Sequence, residues 1–77
     1  MAWLLYSRRG CHLCEAAEDM LAARVPSAAV VDVDAHPGSR ERFGLRVPVL
    51  EIDGVVAMEG RFDELQLARL CASRSEA

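Results

Sequence analysis

The chain has no lysine; all nine of its basic residues are arginine. It has no basic stripe either. The pair Arg8–Arg9 is too short to track a phosphate backbone and the net charge is −3, which speaks against a nucleic-acid partner. No stretch approaches the ~20 apolar residues of a membrane helix, so no membrane role is expected. The opening apolar run, Ala2-Trp3-Leu4-Leu5-Tyr6, is about half the length of a secretory signal's apolar region and lacks the positive charge that precedes one. A cytoplasmic location is the expectation. Repeats, linkers and low-complexity segments are missing, and only residues 73–77 read as a frayed tail. Cysteines number three, few for a disulfide framework. In a reducing compartment a close cysteine pair is more often catalytic, redox-sensing or metal-binding.

What the chain has is apolar mass and close punctuation. With 77 residues, 52% of them hydrophobic, it can form one domain that buries about 60% of its extended surface. A single domain over residues 1–77, monomeric and of modest stability, is expected. Residues 2–6, bounded by Ser7 and Gly10, read as a buried strand. From about Cys11 to Arg24 the spacing predicts a helix, with Leu13, Ala17, Met20 and Leu21 on one face and Glu15, Glu18 and Asp19 on the other. Val25-Pro26 stops it. Residues 28–33 are nearly all apolar, the pattern of a strand covered on both faces. His36-Pro37 opens a short helix that Gly44 can close. Residues 47–52 read as a third strand, and Asp53-Gly54 turns the chain back into an antiparallel partner over residues 55–59. The last helix starts near Asp63, whose spacing to Gln66 fits a capping box, with Leu65, Leu67, Leu70 and Cys71 as its apolar face. The order is β-α-β-α-β-β-α: an α/β domain in which a right-handed strand–helix–strand unit is followed by a hairpin and a packing helix.

The chemistry concentrates at Cys11-His12-Leu13-Cys14. A cysteine at the opening of a helix faces unpaired backbone N–H groups and the positive end of the helix dipole, both of which favour a thiolate. Arg8, Arg9 and His12 stand nearby in sequence, while Glu15 opposes them, so a downward shift of the Cys11 pKa is expected. Cys14, one turn on and toward the apolar side, should stay protonated by desolvation. That asymmetry suits dithiol exchange, in which one thiolate attacks and a buried thiol resolves the mixed disulfide. Three other readings compete. Structural zinc needs two further clustered ligands, whereas His12, His36 and Cys71 are scattered, so no metal site is expected. A phosphatase-type loop, with five residues between Cys and Arg, is excluded by spacing. Two inert cysteines remain the plainest alternative, and Cys71 itself reads as a small core or boundary residue.

Tyr6-Ser7-Arg8-Arg9-Gly10-Cys11-His12-Leu13-Cys14, Val47-Pro48-Val49 and Gly60-Arg61-Phe62-Asp63 together resemble the glutaredoxin-like branch of the thioredoxin superfamily, over residues 2 to about 72. The resemblance implies a thioredoxin-like, glutaredoxin-type fold with a four-stranded mixed sheet flanked by three helices. It implies Cys11 as nucleophile, Cys14 as resolving thiol, and Pro48 as a cis-proline that turns the Val47 backbone toward an extended substrate. Arg8 stands where such proteins hold a glutathione carboxylate, its alternative being a solvated loop arginine. Asp63 stands where an acidic residue holds the γ-glutamyl end, its alternative being the cap of the last helix. His12 is a solvent-side modulator at the same site. The sequence departs from common relatives in its Cys-His-Leu-Cys, in Val47 where they carry Thr, and in Arg61 where they carry a second glycine. The implied activity is thiol–disulfide exchange on protein or glutathione mixed disulfides, with glutathione as a co-substrate, a thiol reductant, and no bound cofactor. The alternative is a non-catalytic module that docks a partner or metal through the same groove.

Overall fold

The structure is a computed structural model in which residues 2–74 are described. β1 (Trp3–Ser7) is followed by α1 (His12–Arg24), β2 (Ala29–Asp32), a short 3₁₀ turn (Val33–Ala35) and α2 (Pro37–Phe43). The chain continues through β3 (Val49–Ile52) and β4 (Val55–Glu59) to α3 (Glu64–Ser73). The strands form one mixed sheet in the order β2-β1-β3-β4. β1 runs parallel to β2 and antiparallel to β3. β3 and β4 form the hairpin, with a register irregularity between Leu50 and Glu51. This is the α/β, thioredoxin-like architecture. The β3–β4 turn has φ of 50° at Asp53 and 86° at Gly54, the left-handed pair that a two-residue hairpin needs. Residues 75–77 of the expected tail lie outside the described residues, whereas Ser73 still belongs to α3.

Alternation in β1 divides the core into two. Trp3 and Leu5 face α1 and α3, where they pack with Leu21, Leu50, Phe62 and Leu67. Tyr6 points to the other face, toward Val33, Phe43 and Val49. The Phe43 ring, carried by α2, stands 4.7 Å from that of Tyr6. β3 is central and buried at all four positions, and its Glu51 is satisfied by Tyr6 Oη at 3.4 Å and Arg42 Nη2 at 3.5 Å.

Two expectations are corrected here. β2 is not covered on both faces: it is an edge strand with Ala29, Val30 and Asp32 exposed. α1 packs on β1 and α3, and an apolar run alone does not say how many neighbours a strand has. In α3, Leu67 and Cys71 are buried and Leu70 packs against the core, but Leu65 is 58% exposed. Two residues before Leu67, it lies about 200° around the helix from it.

Candidate active site

Three segments meet at one end of the sheet. The pairing of Tyr6 with Val49 brings residues 44–48, which feed β3, beside residues 8–11, which leave β1. Gly60 N–H donates to the Pro48 carbonyl at 2.9 Å and draws in the start of the β4–α3 connection. The Val47–Pro48 bond is cis.

Gly10, with φ of 80°, makes the left-handed step before α1 at no steric cost. Cys11 then takes the N-cap in an extended conformation, and its Sγ accepts the Cys14 N–H at 3.2 Å. A sulfur thus does the capping usually left to Ser, Thr or Asp. The sulfur stands at the N-terminal, positive end of the α1 dipole. Cys11 is half-exposed, Cys14 is fully buried, and both are free thiols. Burial first, then hydrogen bonding to Cys11, pushes the Cys14 thiol up, against the Arg8 backbone N–H and the Ser7 hydroxyl, which pull it down. The pair is therefore unequal: one reachable sulfur and one buried, protonated thiol.

Arg8 is neither free nor merely solvated. Its Nε and Nη2 grip both oxygens of Asp34 at 2.8 and 2.9 Å, and its Nη1 donates to the Gly44 carbonyl at 2.7 Å. The same Asp34 accepts from Arg40 Nε at 3.2 Å, and these partners, Arg8 foremost, hold its carboxyl down to about 2. Arg8 thus ties the Cys11 loop to the end of α2, where the chain sets out toward Pro48. Arg46 and Glu59 form a second two-pronged pair, at 2.7 and 2.8 Å, joining the segment before Pro48 to the end of β4. Val47 packs against the Phe43 cluster, and among the described residues its N–H and C=O make no hydrogen bond.

The remaining candidates contact groups other than the sulfurs. The His12 side chain is wholly exposed, with Nδ1 3.9 Å from Glu15. Asp63 caps α3, its Oδ1 accepting the Leu65 N–H at 2.8 Å. Among the described residues no group of three or more His, Cys, Asp or Glu could hold a metal ion, and no helix is long and apolar enough to cross a membrane.

Sequence reasoning missed Ser7, Glu18 and Asp34. The buried Ser7 hydroxyl donates to Glu18 Oε2 at 2.5 Å. Glu18 follows Cys14 by four residues, a spacing that puts both on one face of α1 and offered a signal. Asp34 gave none, being 26 residues from the arginine it holds.

The profile of the glutaredoxin-like domain family (DUF836) matches residues 3–72. No curated protein matches the chain. Among solved structures, a structural-genomics target protein from X. campestris, XcR50, is similar at 35% identity, with a TM-score of 0.80, covering 94% of this chain and 97% of that one.

Proposed function

We propose that this chain, which belongs to the glutaredoxin-like domain family, is a thiol–disulfide oxidoreductase or electron carrier that cycles Cys11 and Cys14 between dithiol and disulfide. The observation that carries the reading is the pairing of a half-exposed, helix-capping Cys11 sulfur with a fully buried Cys14. Cys11 attacks a substrate disulfide as the thiolate, forming a mixed disulfide and releasing one thiol. Cys14 then bonds to the Cys11 sulfur and displaces the second. The substrate gains two electrons, the protein is left with a Cys11–Cys14 disulfide, and a thiol reductant restores it.

An extended substrate segment can pair with the unbonded Val47 N–H and C=O as an added strand does. A glutathione carboxylate has to compete with Asp34 for Arg8, so protein disulfides are the first substrates and glutathione is a co-substrate. The reaction suits a monomer in the reducing cytoplasm, where pairs of this kind are kept as thiols.

The test is turnover of a mixed-disulfide substrate by two variants. Cys11→Ser abolishes it, whereas Cys14→Ser accumulates a mixed disulfide on Cys11 that mass measurement detects. Full turnover by Cys11→Ser refutes the assignment.

A further inference from the structure

We infer that the site selects protein disulfides whose cysteine lies between an apolar and an acidic residue, the first read by Leu45 and the second by Arg61. The selection rests on the redox reading above and names the substrates of that same site.

The two residues bracket the backbone that an extended substrate pairs with. Leu45 stands two residues before Val47, so the two Cα atoms are no more than about 7 Å apart. On the other side, the Gly60 N–H donates to the Pro48 carbonyl at 2.9 Å. Arg61 is therefore one residue from a group bonded to the backbone that follows Val47. Strand residues advance by about 3.3 Å each, so a segment of four or five residues paired at Val47 reaches past both. The stretch is also fixed beside Cys11. Arg8 holds the Gly44 carbonyl at 2.7 Å, and its own carbonyl accepts the Cys11 N–H at 3.4 Å. Arg46 is gripped by Glu59. Leu45 thus sits between two anchored neighbours.

Neither side chain is used within the fold. Leu45 is 103% exposed and belongs to neither core cluster. A single exposed leucine is ordinary on a protein surface. This one is set apart by its place, between clamped neighbours and next to unbonded backbone at the end of the sheet that carries Cys11. Arg61 is exposed, and among the described residues no carboxylate pairs with it. The other arginines around the Pro48 segment are occupied, Arg8 by Asp34 and Arg46 by Glu59. The acidic residues closest to Arg61 in sequence are engaged too, Glu59 with Arg46 and Asp63 with the Leu65 N–H. Arg9 also lacks an ion pair, but it lines a groove on the β2 side with Glu15, Glu18 and Asp32. The charge of Arg61 is left for a partner, and a carboxylate matches its guanidinium fork best.

The test mixes reduced protein with synthetic peptides whose single cysteine is joined to a chromogenic nitrobenzoate thiol. Attack by Cys11 on the peptide sulfur releases the coloured thiolate, and the second-order rate constant of release reads recognition. The peptides carry leucine on one side of the cysteine and glutamate on the other, in both orders, within three residues of it. Controls replace leucine by serine or glutamate by glutamine. In one of the two orders, leucine is expected to raise the rate over serine by about tenfold, the scale of covering such a side chain. Glutamate raises it over glutamine by up to about fivefold, the scale of an exposed ion pair, and that preference shrinks at high salt. Leu45→Ser erases the leucine preference and keeps the glutamate one, whereas Arg61→Gln does the converse. Each replaced side chain is exposed, so the variants fold. Either preference missing from the unaltered protein overturns the inference, and so does one that survives its variant. A variant that slows every peptide by the same factor overturns it too, because the residue then shapes the site and reads no flank. Colour released from no peptide refutes the redox reading as well, whereas release without preference refutes the selection alone.

Discussion

Truncating Phe43 to alanine tests whether the face of the sheet beneath α2 is a core that holds the Pro48 segment in place. Phe43 is 1% exposed and packs with Val33, Val49 and Tyr6. The guanidinium groups of Arg42 and Arg46 lie 4.5 and 5.3 Å from its ring centroid. Removing a buried phenylalanine costs about 3–5 kcal/mol, from lost transfer energy and the cavity left behind. For a domain of this size the whole stability is roughly 4–12 kcal/mol, so the loss is about a quarter of it or more. With a urea slope near 1–1.5 kcal/mol/M for so small a protein, the midpoint of unfolding falls by roughly 2–5 M. Urea titration followed by far-UV circular dichroism measures it, and alkylation of Cys11 in the same samples reports on the site. A midpoint lowered by less than about 0.5 M would show that α2 is only loosely docked, and the link drawn from it to Pro48 would fail.

Three further perturbations follow from single contacts. Asp34 titrates lower in the folded protein, at about 2, than the ordinary value of 3.8. Its partnership with Arg8 therefore stabilises the fold above about pH 4 and is lost as pH falls toward 2. Asp34→Asn is expected to unfold more easily than the unaltered protein at neutral pH, with a difference that narrows in acid, measured by denaturant titration across that range. Gly44→Ala places a Cβ 2.5 Å from the Arg40 carbonyl oxygen. The shift this forces is expected to cost about 1–3 kcal/mol and to disturb the Gly44 carbonyl that Arg8 holds; thermal unfolding reads the first and Cys11 alkylation kinetics the second. Asp63→Ala removes the cap of α3 and is expected to cost ~1 kcal/mol, whereas Asp63→Asn, which keeps an acceptor, costs less, both measured by thermal melts.

The order of elements was legible because each is punctuated by a residue with one local use. Asp53-Gly54 dictates a hairpin, Pro37 opens α2, and Asp63 caps α3. Cys11 at the start of α1 was legible for the same reason. The misreadings concern neighbours. Residues 29–32 do not encode that their strand lies at an edge, because β-branched residues suit edge and central positions alike. Nor does Leu65 reveal that its side of α3 faces water. At the site, Arg8 could be placed near the cysteines by sequence distance, but its partners Asp34 and Gly44 arrive through the parallel pairing of β1 and β2 and the return of α2. Glu18 falls one turn after Cys14, yet its charge drew it to the solvent face in a simple amphipathic reading. Only the buried hydroxyl of Ser7 explains why a carboxylate turns inward there.

The most direct measurement is a redox equilibration of the protein in buffers of graded thiol-to-disulfide glutathione ratio, quenched in acid and read by intact mass with peptide mapping. A single disulfide joining Cys11 to Cys14 is expected to close and reopen reversibly as the ratio changes, with Cys71 remaining a thiol. Two sulfurs that stay reduced at every ratio, or a bridge that forms only through Cys71, would contradict the assignment of this site to disulfide exchange.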